Sequence, residues 1–382
     1  MRAPASPPRG WRCTDSVPRP LTPLWLAAPS RFARLSRAQA RLVLIGLALL
    51  IAASLFALSV PAPDGASDPA QTDLNLYQTI VEGVRAGGDY YSVAARSLRA
   101  GDFPLRPFVT FRLPTLAMIE AALPHGAIVT LLDVLALGVF VAWGLRLREA
   151  FARRLPLVVA LMLLAGGMLG FVQSDLAAFH EIWAGLLIAL SLALRRPGRW
   201  VEAVAFGMMA MLIRETAALY VAIMAVLALV QGQRREALGW GATLGVFAVV
   251  VALHAHAVSE VVHATDPASP GWAGMLGFGF FAEAIAVSTV LTLFPLVVAA
   301  PLVALALAGW AAWESDLGLR VTVTLVAYAV LIALFGRADT FYWGLMIAPT
   351  LLVGLAFAPD GLRDLVRVAA QRRRITVTRV VR

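Results

Sequence analysis

The chain contains no lysine, a single cysteine and few charges of any kind. Each of its 32 Lys/Arg positions is arginine, and charged residues occupy only 14% of 382 positions. A soluble domain carries about 25%, so an ordinary water-facing surface is excluded. The lone Cys13 excludes an internal disulfide. The sequence has no Walker A loop, no Gly-x-Ser-x-Gly elbow, no dinucleotide fingerprint and no His-Glu-x-x-His pair. Energy from soluble nucleotide and zinc-protease chemistry therefore have no motif to rest on. Repeats with periods of about 20–50 residues are missing, which argues against a solenoid.

What is present is apolar. Hydrophobic residues make up 60% of the chain, and the mean hydropathy is +0.79. Runs of roughly 20 apolar residues recur between positions 42 and 358, enough to cross a hydrocarbon core of about 30 Å. The expectation is an all-α, polytopic helical membrane protein with about 9–11 transmembrane or re-entrant helices. One membrane domain over 41–358 is expected, including an extracytoplasmic loop at 61–112. A disordered Arg/Pro-rich tail over 1–40 precedes it and a basic tail over 359–382 follows.

The net charge is +9. Its arginines gather in the tails and in alternate short loops, so they read as positive-inside topology signals and not as a nucleic-acid patch. The arginine-only, Ala/Leu/Val-rich composition points to a GC-rich bacterial genome. The predicted setting is a bacterial inner membrane, with the N-terminus cytoplasmic. A cleaved signal peptide over 42–60 is the rival reading, but its apolar run is too long, and Pro61 and Pro63 suit no cleavage site.

Further spans are predicted near 127–145, 155–172, 177–194, 238–257, 279–299, 319–335 and 342–358. Residues 301–313 continue the preceding helix past Pro301. The stretches 201–213 and 216–230 are too short to cross alone. Basic residues flank both (Arg195, Arg196 and Arg199 before; Arg234 and Arg235 after). They predict a hairpin whose tip, Arg214-Glu215, points to the outer face.

Within 61–112, the apolar spacing Tyr77, Ile80, Val81, Val84 predicts a surface helix with Asp73 as its cap, ended by Gly87-Gly88. A second short helix is predicted over 90–99. Both lie flat on the outer membrane surface, and 103–112 re-enters as extended chain.

The ionisable residues that are not topology anchors fall almost entirely on this one predicted face: Asp73, Asp89, Asp175, His180, Glu181, Arg214, Glu215, Arg337 and Asp339. Charge at a membrane boundary is costly, so these are functional candidates. Each has a plainer alternative. Asp73 can be a general base or simply an N-cap. Arg214 offers a fork for phosphate, or an internal ion pair that holds the hairpin. His180-Glu181 can bind or relay, or cap a span. Arg337-x-Asp339 can meet a lipid phosphate, or sit in an interfacial belt with Phe341, Tyr342 and Trp343. Arg106 and Arg112 can contact phosphate or headgroups. His254 and His256 do not share a helical face, which leaves little case for a metal site with His263. No motif indicates a metal, and metal dependence is left open.

Asp73-Leu-Asn-Leu-Tyr77, then Gly87-Gly88-Asp89-Tyr90-Tyr91, then Arg106-Pro107 and Arg112-Leu-Pro114 resemble the first outer loop of the GT-C fold glycosyltransferases. These are polyprenyl-phosphate-sugar-dependent membrane enzymes that include bacterial mannosyl- and arabinosyltransferases. The Leu212-Ile-Arg-Glu-Thr216 tip is similar to that of bacterial members. The motif likeness covers about 60 residues, while the architecture covers most of the chain. Two features depart from the pattern: a lone acid at Thr72-Asp73 where an acidic pair is usual, and no large C-terminal periplasmic domain.

The resemblance implies transfer of a sugar from a polyprenyl-phosphate donor to a lipid or glycan acceptor on the extracytoplasmic face. Asp73 would act as the base, with inversion. Tyr77, Asp89, Arg106, Arg112, His180, Glu181, Arg214, Glu215 and Arg337 would surround the substrates. The competing expectation is a transporter or flippase of a lipid-linked glycan. Transporters place polar groups at the midplane within repeated broken helices.

Overall fold

A computed structural model describes residues 22–59 and 69–371. Cys13, Pro61, Pro63 and Arg372 to Arg374 lie outside the described residues, as does the side chain of Asp175. The described residues form fifteen α-helices. They are α1 (Arg37–Ser54), α2 (Pro69–Arg85), α3 (Tyr90–Ala100), α4 (Thr115–Ala122), α5 (His125–Leu147), α6 (Arg154–Gly167), α7 (His180–Leu194) and α8 (Val201–Ile213). Then follow α9 (Ala218–Val230), α10 (Arg234–Ser259), α11 (Gly277–Val287), α12 (Leu296–Ala312), α13 (Asp316–Phe335), α14 (Ala348–Leu351) and α15 (Gly354–Ala370). Among the described residues only isolated β-bridges occur and no strand.

Among the described residues four stretches are long and apolar enough to cross a membrane: Arg37–Ser59, α5, α10 and α13. Their outward faces carry bare aliphatic side chains such as Leu42, Leu49, Val134, Leu137, Leu238 and Leu253, as a lipid-facing helix should. Shorter apolar helices pack among them, although α6, α8 and α9 still expose Leu155, Val201 and Leu229. Most of all, α7 is buried from His180 to Ala193.

Two expected spans are broken. The 279–299 stretch stops at Val287 and restarts after Pro295, which can begin a helix but cannot continue one. The 342–358 stretch is a 3₁₀ segment, Ala338–Met346, followed by α14 and the start of α15. Its backbone is buried against glycines: a Cβ on Gly185 of α7 would sit 2.3 Å from the Leu345 carbonyl oxygen. The α12–α15 crossing is equally close. A Cβ on Gly354 would meet the Ala306 carbonyl at 2.0 Å.

The 201–230 region forms the expected hairpin, with α8 and α9 joined by a 3₁₀ turn at Glu215–Ala217. Two helices, α2 and α3, also form where they are expected in the 61–112 segment. The tails differ from expectation. From residue 22 onwards the N-terminal segment is ordered, because Asp360 of α15 accepts the backbone N–H groups of Leu24, Trp25 and Leu26 at 2.7–2.9 Å. Asp364 accepts from the backbone N–H and hydroxyl of Ser30. Two acids hidden in a basic-looking tail thus tie it to the bundle.

Arg195, read from sequence as a topology marker, is also buried, as is Arg320. Arg195 pairs with Glu236 at 2.9 Å and with Asp316, and Arg320 reaches Asp316 and Gln231. This network closes the end of α7 opposite His180, about 20 Å away at 1.5 Å per residue.

Candidate functional site

The site forms where α2, packed on α3, α4 and the 338–346 segment, brings Tyr77 against His180 at the N-terminus of α7. Leu74, Tyr77, Ile80 and Val81 of α2 are buried. Asp73, Tyr77 and Val81 repeat every four residues and share one inward stripe. Because α2 already begins at Pro69, Asp73 is not its N-cap, contrary to the simplest reading of the sequence. Its carboxylate is instead free to turn inward, where Oδ2 accepts a 2.6 Å hydrogen bond from the Tyr342 hydroxyl. Burial pushes the Asp73 carboxyl above the usual carboxylate range, and the Tyr342 bond and nearby Arg112 oppose that shift.

Arg112 follows the cis Arg106-Pro107 bond in the returning loop. Its Nε donates to the Tyr77 hydroxyl at 3.2 Å, and its backbone carbonyl accepts from the Tyr90 hydroxyl at 2.7 Å. The Tyr77 hydroxyl is pushed up to about 12 by burial, so it stays protonated. Arg112 makes no ion pair with any carboxylate among the described residues. Its charge is felt by Glu181, Glu215 and Tyr342 at longer range.

The second layer is ionic. Arg214 Nε lies 2.7 Å from Glu181 Oε1, and its terminal nitrogen lies 3.1 Å from Glu215 Oε2. The guanidinium also sits 5.8 Å from the Trp343 ring centroid, over its face. Glu215 uses its other oxygen to accept from Leu113 N–H at 3.1 Å, which fixes the loop that presents Arg112. Adjacent residues on the tip therefore serve different partners.

Glu181 is fully buried. Its contact with Arg214 lacks hydrogen-bond alignment, so neither carboxylate oxygen has a hydrogen-bond donor among the described residues. His180 is 4% exposed, and both ring nitrogens are likewise without a partner there. Its ring packs edge-on against Tyr77 at 4.9 Å. Buried polar groups left unsatisfied call for an explanation. Here they cluster beside a small cavity, of about 20 Å³, that His180, Tyr77 and Arg112 line.

The structure thus brings together Asp73, Tyr77, Arg112, His180, Glu181, Arg214 and Glu215. Other expected residues serve elsewhere. Asp89 caps α3 through a 3.0 Å bond from Ser92 N–H. Arg337 forks onto Asp339 two residues on, which occupies the guanidinium expected to meet phosphate, although Asp339 still raises the Asp73 carboxyl. Arg106 is exposed, and its backbone pairs with the 267–269 segment. His254 bonds Tyr91 and the Phe111 carbonyl. Among the described residues no group of three or more His, Cys, Asp or Glu is arranged to hold a metal ion.

Two site residues lay beyond the sequence reading. Tyr342 read as an interfacial aromatic. Glu120 sits in the apolar stretch Thr115–Ala122, and only its isolation as an acid among aliphatic neighbours signals it. No known protein family, curated protein or solved structure matches this chain.

Proposed function

We propose that this protein is an integral membrane glycosyltransferase that moves a sugar from a polyprenyl-phosphate donor to an acceptor hydroxyl, with Asp73 as general base. The observation that carries this reading is the buried constellation itself. A carboxylate of raised proton affinity stands beside a guanidinium that has no ion pair among the described residues, and beside buried polar groups that lack partners there. A substrate bearing phosphate and hydroxyls would supply the missing ones.

In this reading Asp73 takes the acceptor's hydroxyl proton as the new O–C1 bond forms. The C1–O bond to phosphate breaks, and the leaving phosphate departs with the bonding pair. Attack from the face opposite the phosphate inverts the anomeric carbon. Tyr342 aims the carboxylate. Arg112, and not Arg214 or Arg337, stabilises the phosphate: Arg214 is occupied by Glu181 and Glu215, and Arg337 by Asp339. His180 and Glu181 orient sugar hydroxyls. The reading places the site on the extracytoplasmic face of a bacterial inner membrane and leaves any metal requirement open.

The rival is transport of a lipid-linked glycan. A transporter must open at both ends, and at the far end such opening would have to part the Arg195–Glu236–Asp316–Arg320 ion pairs.

Mass spectrometry of lipids that co-purify with the detergent-extracted protein tests the reading. A polyprenyl phosphate retained by wild type and lost from Arg112→Ala is expected. Bulk phospholipid alone in both samples would contradict it.

A further inference from the structure

A second and larger cavity, of about 340 Å³, opens beside the first. Gln78, Glu82 and Arg85 of α2, His125 of α5 and Ser174 ring its mouth, and Glu120 of α4 lies at its base. Val81, Glu120 and Ala178 line both cavities and form the wall between them. The stripe on α2 joins the two. Asp73 sits at one end and Val81 two turns on, about 12 Å away at 1.5 Å per residue, with Tyr77 between.

Glu120 is the unusual group. It is 7% exposed, and Oε1 has no hydrogen-bond partner among the described residues. The neighbouring Arg85 does not relieve it. That guanidinium donates to the backbone carbonyls of Glu120, Ala121 and Leu123 at 2.6–3.4 Å, capping the C-terminal end of α4. Burial pushes the Glu120 carboxyl up to about 8, so at neutral pH it is mostly protonated and can donate as well as accept.

The lining chemistry selects the ligand class. With its guanidinium committed to carbonyls and two acids nearby, the cavity is a poor anion site. With Glu120 neutral, it is also a poor cation site. Amide, imidazole, carboxyl and hydroxyl groups around a small apolar wall of Val81, Ala177 and Ala178 match a ring that carries many hydroxyls.

We propose that this cavity is a carbohydrate subsite that holds distal sugar units of an oligosaccharide acceptor, with Glu120 hydrogen-bonded to a sugar hydroxyl, while the acceptor's reacting hydroxyl reaches Asp73. This deepens the transferase reading and rests on it for the word acceptor: it makes the acceptor a glycan chain and not a bare lipid.

The test separates the two claims by measuring binding without turnover. The protein carrying Asp73→Asn is placed in nanodiscs and titrated with di- to pentasaccharides of gluco, galacto, manno and arabino type by saturation-transfer NMR. At least one should bind with a Kd near 1 mM. Adding Glu120→Leu should weaken it about tenfold or more, the loss of one buried hydrogen bond. Glu120→Gln, which keeps donor and acceptor, should stay within about threefold. Gln78→Trp, at the exposed mouth, should also block binding, and it decides the matter if the leucine variant does not fold.

Absence of binding by every oligosaccharide at about 10 mM, or equal affinity with and without Glu120→Leu, overturns the subsite. A protein that transfers sugar yet fails this titration refutes the subsite alone. One that binds oligosaccharide through Glu120 yet never transfers keeps the subsite and refutes the transferase.

Discussion

Removing Arg214 should destabilise the protein more than removing its ion-pair partner. Glu181 is fully buried with no hydrogen-bond donor among the described residues, so the Arg214 guanidinium at 2.7 Å is what keeps its charge tolerable. Arg214→Met leaves that charge buried and unpaired, at a cost of about 3–5 kcal/mol. Glu215 adds little to this cost, because its side chain is 23% exposed and water can replace the lost contact. Glu181→Leu should be milder, about 1–3 kcal/mol, since Arg214 keeps Glu215 at 3.1 Å and the Trp343 face. The double variant should be more stable than Arg214→Met alone. A coupling energy of about 2 kcal/mol or more is expected. Unfolding by SDS in mixed micelles, followed by fluorescence of the ten tryptophans, reads each corner of the cycle. Additive losses in the double variant would refute the idea that Glu181 depends on Arg214.

Asp73→Asn should lower transfer about 10²–10⁴-fold at unchanged thermal stability, measured as product per protein. The wild-type rate should fall as pH drops through the raised Asp73 value, because the base must be unprotonated. Tyr342→Phe removes a 2.6 Å bond to that carboxylate and should shift this acid limb to higher pH, visible in a pH–rate profile. Glu120 gains proton affinity on folding, from 4.5 to about 8. Its stabilisation is therefore full below pH 4.5 and drains as pH rises to about 8, at most ~1.4 kcal/mol per pH unit. Glu120→Gln should flatten that slope in unfolding curves taken across the window. Gly354→Ala drives a Cβ into the Ala306 carbonyl and should cost about 1–3 kcal/mol or more by overpacking, checked by the same unfolding assay.

Hydropathy and arginine placement made the helical membrane architecture legible, and turn chemistry found α2, α3 and the Arg214 tip. The sequence could not reveal which apolar runs break. Pro295 and the glycine-lined backbone of 338–353 do so, because interior packing lets short helices and 3₁₀ turns share the core. The arginine pattern could not show that Arg195 and Arg320 are also ion-paired: Glu236 and Asp316 reach Arg195 from other helices, and Asp316 also meets Arg320 one turn further along α13. Asp73 was found for its position, but its partner Tyr342 lies 269 residues away. No local pattern can announce such a pairing. Among the arginines, the choice of Arg112 over Arg214 depends on which guanidinium is already paired, a property of the fold alone.

The most direct measurement is sugar release from a labelled donor. Wild-type protein and Asp73→Asn would be reconstituted with a radiolabelled polyprenyl-phosphate-sugar pool and cell-envelope acceptor. The account predicts that label leaves the lipid phase with wild type only. Label that stays in lipid with both proteins, or leaves equally with both, would contradict a transferase centred on Asp73.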